Sequence, residues 1–255
     1  MPTGSAVRPA ALVTGGAQRL GRAIALALAE YGHDIALHYG SSRAAATETA
    51  LLIQERNVEC EVIEGDLAEV ETAGTLVRAA SERFPRLRVL VNNAARYDQV
   101  SLLNTSAEVF DALMAVNLRA PFFLIQAFAR LVGEGDVINI IDNKIAFNQP
   151  AYGAYLLAKK ALAELTRLAA LELSPHIRVN GIAPGVVLPS EMRSAEYLAW
   201  RADGIPLRRQ GDASDITRTV VYLLENRFVT GQVLFVDGGE SIAQVGRHAA
   251  NAPRS

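Results

Sequence analysis

The sequence predicts an α/β fold in one domain: a parallel seven-stranded sheet with helices on both faces. Three observations carry that expectation. Seven short apolar runs alternate with helix-length segments. The runs are largely apolar throughout, as strands covered on both faces must be. No linker, repeat or low-complexity stretch divides the 255 residues, a length that α/β sheets commonly use as a single domain.

The first strand is expected at Ala10-Ala11-Leu12-Val13. A helix follows from about Gln18 to Tyr31, because Leu20, Ile24, Ala27 and Leu28 fall at i, i+4, i+7 and i+8 on one face. Gly32 then stands where helices often stop. Further strands are expected at 35–39, 60–64, 89–92, 137–141, 178–182 and 233–236, with a helix fitting between nearly every pair. Residues 1–8 and about 240–255 are expected as tails flanking one domain that spans 1–255; the second stretch is open between a tail and an oligomer contact.

Composition narrows the function classes. The formal charge is −2 and half of the residues are hydrophobic, the profile of a globular chain rather than a disordered one. Near-neutral charge argues against nucleic acid as a partner, since phosphate binding needs a basic face. No stretch reads as a membrane span or a secretory signal. A single cysteine, Cys60, excludes an intrachain disulfide and a Cys-rich zinc site, and no metal site is expected. These features together read as a cytoplasmic protein.

The chemistry starts after the first strand, at Thr14-Gly15-Gly16-Ala17-Gln18-Arg19-Leu20-Gly21. Glycines at a strand-to-helix turn let the backbone approach a pyrophosphate and leave helix N–H groups free to bind it. The other marks follow in order. They are Asp66-Leu67 after the third strand, Asn92-Asn93-Ala94 ending the fourth, and Asn117 in the next helix. Tyr155-x-x-x-Lys159 comes after the fifth strand, then Asn180, Pro184-Gly185 and Asp237-Gly238-Gly239. Tyr-x-x-x-Lys alone is common by chance. The ordered set, over nearly the whole chain, resembles the short-chain dehydrogenase/reductase family.

That resemblance implies a Rossmann-type doubly wound sheet and a nicotinamide cofactor. It places Gly15, Gln18, Arg19, Leu20, Gly21, Tyr39, Ser41, Ser42, Arg43, Asp66, Leu67, Asn93, Ala94, Tyr155, Lys159, Pro184, Gly185 and Val187 at the cofactor. Two departures bear on which cofactor. Arg19 stands at the family's usual middle glycine, and the second strand ends His38-Tyr39-Gly40-Ser41-Ser42-Arg43 with no acid. An acid there would bind the 2′-hydroxyl of NAD and repel a 2′-phosphate. Hydroxyls and arginines offer charge-assisted bonds to that phosphate instead, so NADP(H) is expected.

Tyr155 and Lys159 lie four apart and share a helical face. A nearby ammonium is expected to lower the tyrosine pKa toward neutrality. The resemblance makes Tyr155 the proton donor, Lys159 a holder of the nicotinamide ribose, and Asn117 a water binder through its helix backbone. Thirteen residues before Tyr155 the family usually carries a serine, and here stands Asp142. A carboxylate accepts hydrogen bonds and would repel a developing alkoxide, so it suits a ring N–H better than a ketone oxygen. Arg19, His38-Tyr39 and Asp142 together resemble the pteridine reductases within the family. Tyr97 then falls where those enzymes place an aromatic to stack a pterin, and Ala95 where they often have a serine. Leu188, Met192, Tyr197, Leu198 and Trp200, between the sixth strand and the next helix, are candidates for a substrate lid.

The sequence therefore reads as an NADPH-dependent reductase of a pterin-like heterocycle. A general carbonyl or 3-oxoacyl-thioester reductase and a non-catalytic NADP-binding regulator stand as the alternatives. The family implies a homotetramer, or at least a dimer, with Ala161, Leu162, Leu165, Leu168 and Ala169 as an apolar stripe available for it.

Overall fold

The structure is a computed structural model; residues 8–188, 194–243 and 247 are described. Met192 lies outside the described residues. Seven strands form one parallel sheet: β1 (Ala10–Val13), β2 (Asp34–Tyr39), β3 (Cys60–Glu64), β4 (Leu87–Asn92), β5 (Gly135–Ile140), β6 (Ile177–Pro184) and β7 (Val233–Val236). Their spatial order is β3-β2-β1-β4-β5-β6-β7. The chain winds outward from β1 in one direction, then crosses to β4 and winds in the other. A crevice therefore opens beyond the C-terminal ends of β1 and β4.

Alternation along the buried strands feeds two cores. In β1, Ala11 and Val13 join one cluster, and Ala10 and Leu12 join the other. The first cluster is closed by α1 (Arg19–Glu30), α2 (Arg43–Gln54) and α8 (Ala213–Glu225), through Ile24, Leu28, Ile53 and Ile216. The second is closed by α3 (Val70–Arg83), α5 (Ala120–Leu131) and α6 (Gly153–Leu173), through Val77, Leu124, Phe128 and Ala169. The remaining α-helices among the described residues are α4 (Ala107–Met114), α7 (Ala195–Asp203) and the short α9 (Glu240–Ala243). The predicted strands all form, β1, β3 and β7 with the predicted ends and the others with ends shifted by one or two residues. Strand β6 runs on to Pro184 because its last two residues still pair with Phe235 and Val236 of β7.

Three expectations need correction. Glu240 is 3% exposed and opens α9, so the fold extends past the expected start of the tail. Segment Ala107–Leu131 has the length and mean hydropathy, 1.5, of a membrane span, although the sequence reads as having none. Much of its apolar side is spent on the core through Leu113, Leu124, Ile125 and Phe128. The stripe on α6 is divided: Leu162 and Ala169 are buried within the protomer, whereas Leu168 is exposed. The open apolar face of α5 and α6 is made by Phe122, Leu157, Leu168 and Leu171.

Candidate active site

A cleft of about 420 Å³ lies over the C-terminal ends of β1, β2 and β4. Gly15, Gln18, Arg19, Leu20, Gly21, Tyr39, Ser41, Ser42, Asp66, Leu67, Asn93 and Ala94 all line it. Val116 and His38 line it too.

Its floor is held by close backbone packing. Gly15 has φ +60°, a left-handed conformation that glycine adopts freely. A Cβ on Gly21 would land on the Gly15 carbonyl oxygen and the Asn93 side-chain amide. The Thr14 hydroxyl donates to the Val91 carbonyl and accepts from the amides of Asn93 (2.9 Å) and Ala94 (3.1 Å). Asn93 Nδ2 returns bonds to the carbonyls of Thr14 and Gly15.

His38 adds a constraint that its sequence position only hints at. Gly15 N–H donates to its Nδ1 at 3.1 Å, so Nε2 carries the proton and donates to the Gly65 carbonyl at 3.0 Å. Burial lowers its pKa, which favours this neutral tautomer.

Arg19 also has φ +54°, which explains the family's preference for glycine there. Its guanidinium donates to the Leu188 carbonyl at 2.8 Å. The bond ties the glycine loop to the segment after β6; Leu188 itself does not line the cleft.

Several expected cofactor residues sit elsewhere. Arg43 begins α2 beside Ser42 and is exposed, outside the cleft lining. Pro184 closes β6 and Gly185 and Val187 follow it, also outside that lining; Val187 packs into the core below. Tyr39 lines the cleft, but its hydroxyl donates to Glu64 Oε2 at 2.8 Å. No acid ends β2, as read from sequence, yet β3 supplies one to the neighbouring residue.

The candidate catalytic cluster lies beyond β5, which ends two residues before Asp142; Tyr155 and Lys159, also expected at the cofactor, do not line the cleft. Tyr155 Oη donates to Asp142 Oδ2 at 2.7 Å. Lys144 N–H donates to Asp142 Oδ1 at 2.8 Å, and Lys144 Nζ lies 3.9 Å from Oδ2. Lys159 is buried and donates to the Ile140 carbonyl at 2.9 Å. The Tyr97 ring is 49% exposed and meets Tyr155 edge-on, with centroids 4.8 Å apart. Lys144 Nζ sits over the faces of Tyr97 and Tyr152. Asp142, Tyr155 and Tyr97 are thus brought together as expected. Lys144 was not anticipated, because nothing in its spacing marks it.

The electrostatics reverse one expectation. The Tyr155 pKa is raised well above the usual phenol value, first by burial and then by the Asp142 carboxylate. The direct partner of the hydroxyl is an anion, and the Lys159 ammonium is turned to a backbone carbonyl. Burial lowers the Lys159 pKa to about 8 against the opposing pull of Asp142. The ligand-free cluster therefore holds Tyr155 as a protonated phenol.

Asn117 lies in a π-helical turn, Ala115–Arg119, joining α4 to α5. Its fully buried side chain donates to the carbonyls of Arg96 (2.8 Å) and Leu113 (3.0 Å) and accepts from Arg96 N–H. It thus pins the segment that presents Tyr97 and leaves only its main chain for a water. Such turns are frequent at functional sites.

Residues 15–241 match the family described as enoyl-(acyl carrier protein) reductase. The chain belongs to the short-chain dehydrogenase/reductase family. Pteridine reductase 1 of Leishmania tarentolae is 34% identical over 95% of this chain and 99% of its own. The 3-oxoacyl-[acyl-carrier-protein] reductase FabG of Staphylococcus epidermidis is 32% identical over 90% and 97%. Among solved structures, FolM alternative dihydrofolate reductase 1 from Brucella suis, in complex with NADP, superposes with TM-score 0.87. It is 35% identical and covers 92% of this chain and 95% of its own. This dehydrogenase/reductase thus has relatives named for both heterocycle and thioester reduction.

Proposed function

We propose that the protein is an NADPH-dependent reductase of a pterin-like heterocycle. One observation carries the reading: the Tyr155 hydroxyl and the Asp142 carboxylate lie 2.7 Å apart beside the exposed Tyr97 ring. The names of the pteridine reductase and FolM relatives support it.

The cleft fits the cofactor. Gly15 and Gly21 line a floor whose backbone packs too closely to admit a Cβ on Gly21, and Ser41 and Ser42 line the corner at the end of β2. Gly15, Leu20, Gly21, Asn93 and Ala94 would cradle the dinucleotide, with Ser41, Ser42 and nearby Arg43 toward a 2′-phosphate. Bound NADPH supplies the hydride.

The chain's own residues supply the rest. Tyr155 gives its phenolic proton to the ring nitrogen of a C=N bond as the adjacent carbon is reduced. Its raised pKa keeps the phenol protonated before reaction; giving the proton up then requires a basic acceptor, which the reduced ring nitrogen becomes. Asp142 accepts an N–H of the heterocycle, a bond strengthened by charge. Tyr97 offers an aromatic face for the flat ring. Lys159 fixes the backbone at Ile140, two residues before Asp142.

The relation to FabG keeps 3-oxoacyl thioesters as the rival substrate class. A carboxylate bonded to the proton donor opposes the alkoxide of ketone reduction. NADPH oxidation measured side by side with dihydropterins, dihydrofolate, oxidised pterins and a short 3-oxoacyl thioester separates the two. Turnover of the thioester alone would overturn the heterocycle reading, and no turnover with NADPH bound would favour a regulator.

A further inference from the structure

A second group of charged side chains lies outside the cluster around Tyr155. Arg201 of α7 and Glu240 of α9 form a two-pronged ion pair, Nη1–Oε1 2.5 Å and Nη2–Oε2 3.3 Å. With side chains 9% and 3% exposed, it is the most enclosed ion pair among the described residues. Burying such a pair gains little stability over well-packed apolar side chains, so its presence calls for another account.

The geometry supplies one. Glu240 Oε2 also accepts from Asn143 Nδ2 at 2.9 Å. Asn143 is buried, next in sequence to Asp142, and its amide reaches Asp237 Oδ2 at 3.4 Å. Asp237 in turn accepts from the amides of Gly239 and Ser241. One carboxylate thus holds α7 on one side and the loop carrying Asp142 on the other. Arg247 adds a second grip on α7. Its Nη1 donates to the Trp200 carbonyl at 2.6 Å and pairs with Asp203 at 2.8 Å, and its guanidinium lies 5.4 Å from the Trp200 ring centroid.

We propose that Glu240 is a positioning residue: through Asn143 it sets Asp142 against Tyr155, and through Arg201 it links that setting to the seating of α7. The proposal rests on Asp142 acting in the reaction. The chain segment after β7 is then part of the active-site apparatus although it touches neither reacting group.

The test compares Asn143→Ala, Glu240→Asp, their combination, and Arg201→Met/Glu240→Leu with wild type. For each, Tm, NADPH dissociation constant, kcat and KM are measured with 7,8-dihydrobiopterin and with a 3-oxoacyl thioester. Glu240→Asp keeps the buried charge but is one methylene short of bridging both partners. It should retain NADPH affinity within about twofold while kcat falls at least about fivefold, the factor given by a coupling of ~1 kcal/mol. Adding Asn143→Ala to it should cost less than Asn143→Ala costs alone. Arg201→Met/Glu240→Leu should fold with near wild-type Tm and remain slow. Wild-type kcat in Glu240→Asp, additive effects in the cycle, or recovery of kcat with Tm in the apolar pair would each overturn the proposal. If wild type reduces only the thioester, the pterin reading falls, and the same comparison on the thioester still decides the role of Glu240.

Discussion

The bond between Tyr155 and Asp142 joins the proposed proton donor to a group that most of the family lacks. Removing the donor should be severe: Tyr155→Phe is expected to cut turnover by ~10²–10⁴-fold, the usual scale of general acid catalysis. NADPH affinity should stay close to wild type, and wild-type turnover would show that the proton comes from elsewhere. Asp142→Ser should split two activities. A hydroxyl gives a weaker bond to a ring N–H and a better one to an oxyanion, each difference worth ~1.5 kcal/mol, or about tenfold. Dihydropterin kcat/KM should therefore fall and 3-oxoacyl-thioester kcat/KM rise. Parallel loss of both would make Asp142 a loop cap, a role its bond to Lys144 N–H already gives it. Tyr155, Lys159 and Asp142 were legible because the family's spacing marks them. Lys144 was not, since its place over two tyrosine rings depends on where the loops at Tyr97 and Tyr152 fold. The sense of the Tyr155 pKa shift was missed for a related reason: a four-residue spacing shows which side chains share a face, not which one bonds the hydroxyl.

At the scale of elements, the glycine turn, β1 and α1 act as one unit. Gly21 has no room for a Cβ because it crosses the Gly15 carbonyl and the Asn93 amide. Gly21→Ala should push α1 away from the end of β1, weakening NADPH binding by about tenfold or more while Tm falls by only a few degrees. Titration of NADPH fluorescence checks the first quantity and calorimetry the second. Unchanged affinity would mean that the cofactor binds elsewhere. The same titration tests cofactor choice at the β2–α2 corner, where Ser42→Ala/Arg43→Ala should cost ~10–100-fold for NADPH and little for NADH, as loss of one or two charge-assisted bonds predicts. The seven strands were legible because a run of apolar residues has few other uses in this fold. Glu64 was missed because it meets Tyr39 through cross-strand register, Tyr39 opposite Glu64, which no local pattern encodes. The π-helical turn at Asn117 was hidden similarly, since its sequence reads as ordinary helix.

Over the whole molecule, the exposed apolar residues Phe122, Leu157, Leu168 and Leu171 make one side of α5 and α6 fit for a second copy. We infer a homotetramer, or at least a dimer, and a monomer mass by light scattering at micromolar concentration would refute it. The buried Lys159 bears on stability as well as on reaction. Its pKa in the folded protein is about 8, below the ordinary lysine value of 10.5, because burial disfavours the ammonium. Below about pH 8 both folded and unfolded chains carry the proton, and folding bears the full cost of burying the charge. Between pH 8 and 10.5 the unfolded chain binds more protons, so this contribution to stability rises with pH until the penalty is gone. The cost is about 3 kcal/mol at neutral pH, net of what the ammonium gains from its partners. Lys159→Met should therefore melt higher than wild type at pH 7, by roughly 5 °C for a chain of this size, while losing turnover. Its advantage should shrink as pH rises through 8 and be gone near 10.5. Melting curves of both ligand-free proteins across that range decide the point. A variant that is less stable at pH 7, or an advantage that grows with pH, would show that the ammonium is held by more than the Ile140 carbonyl and the charge of Asp142. The site would then not be a place where the fold gives up stability to keep a charge ready for reaction.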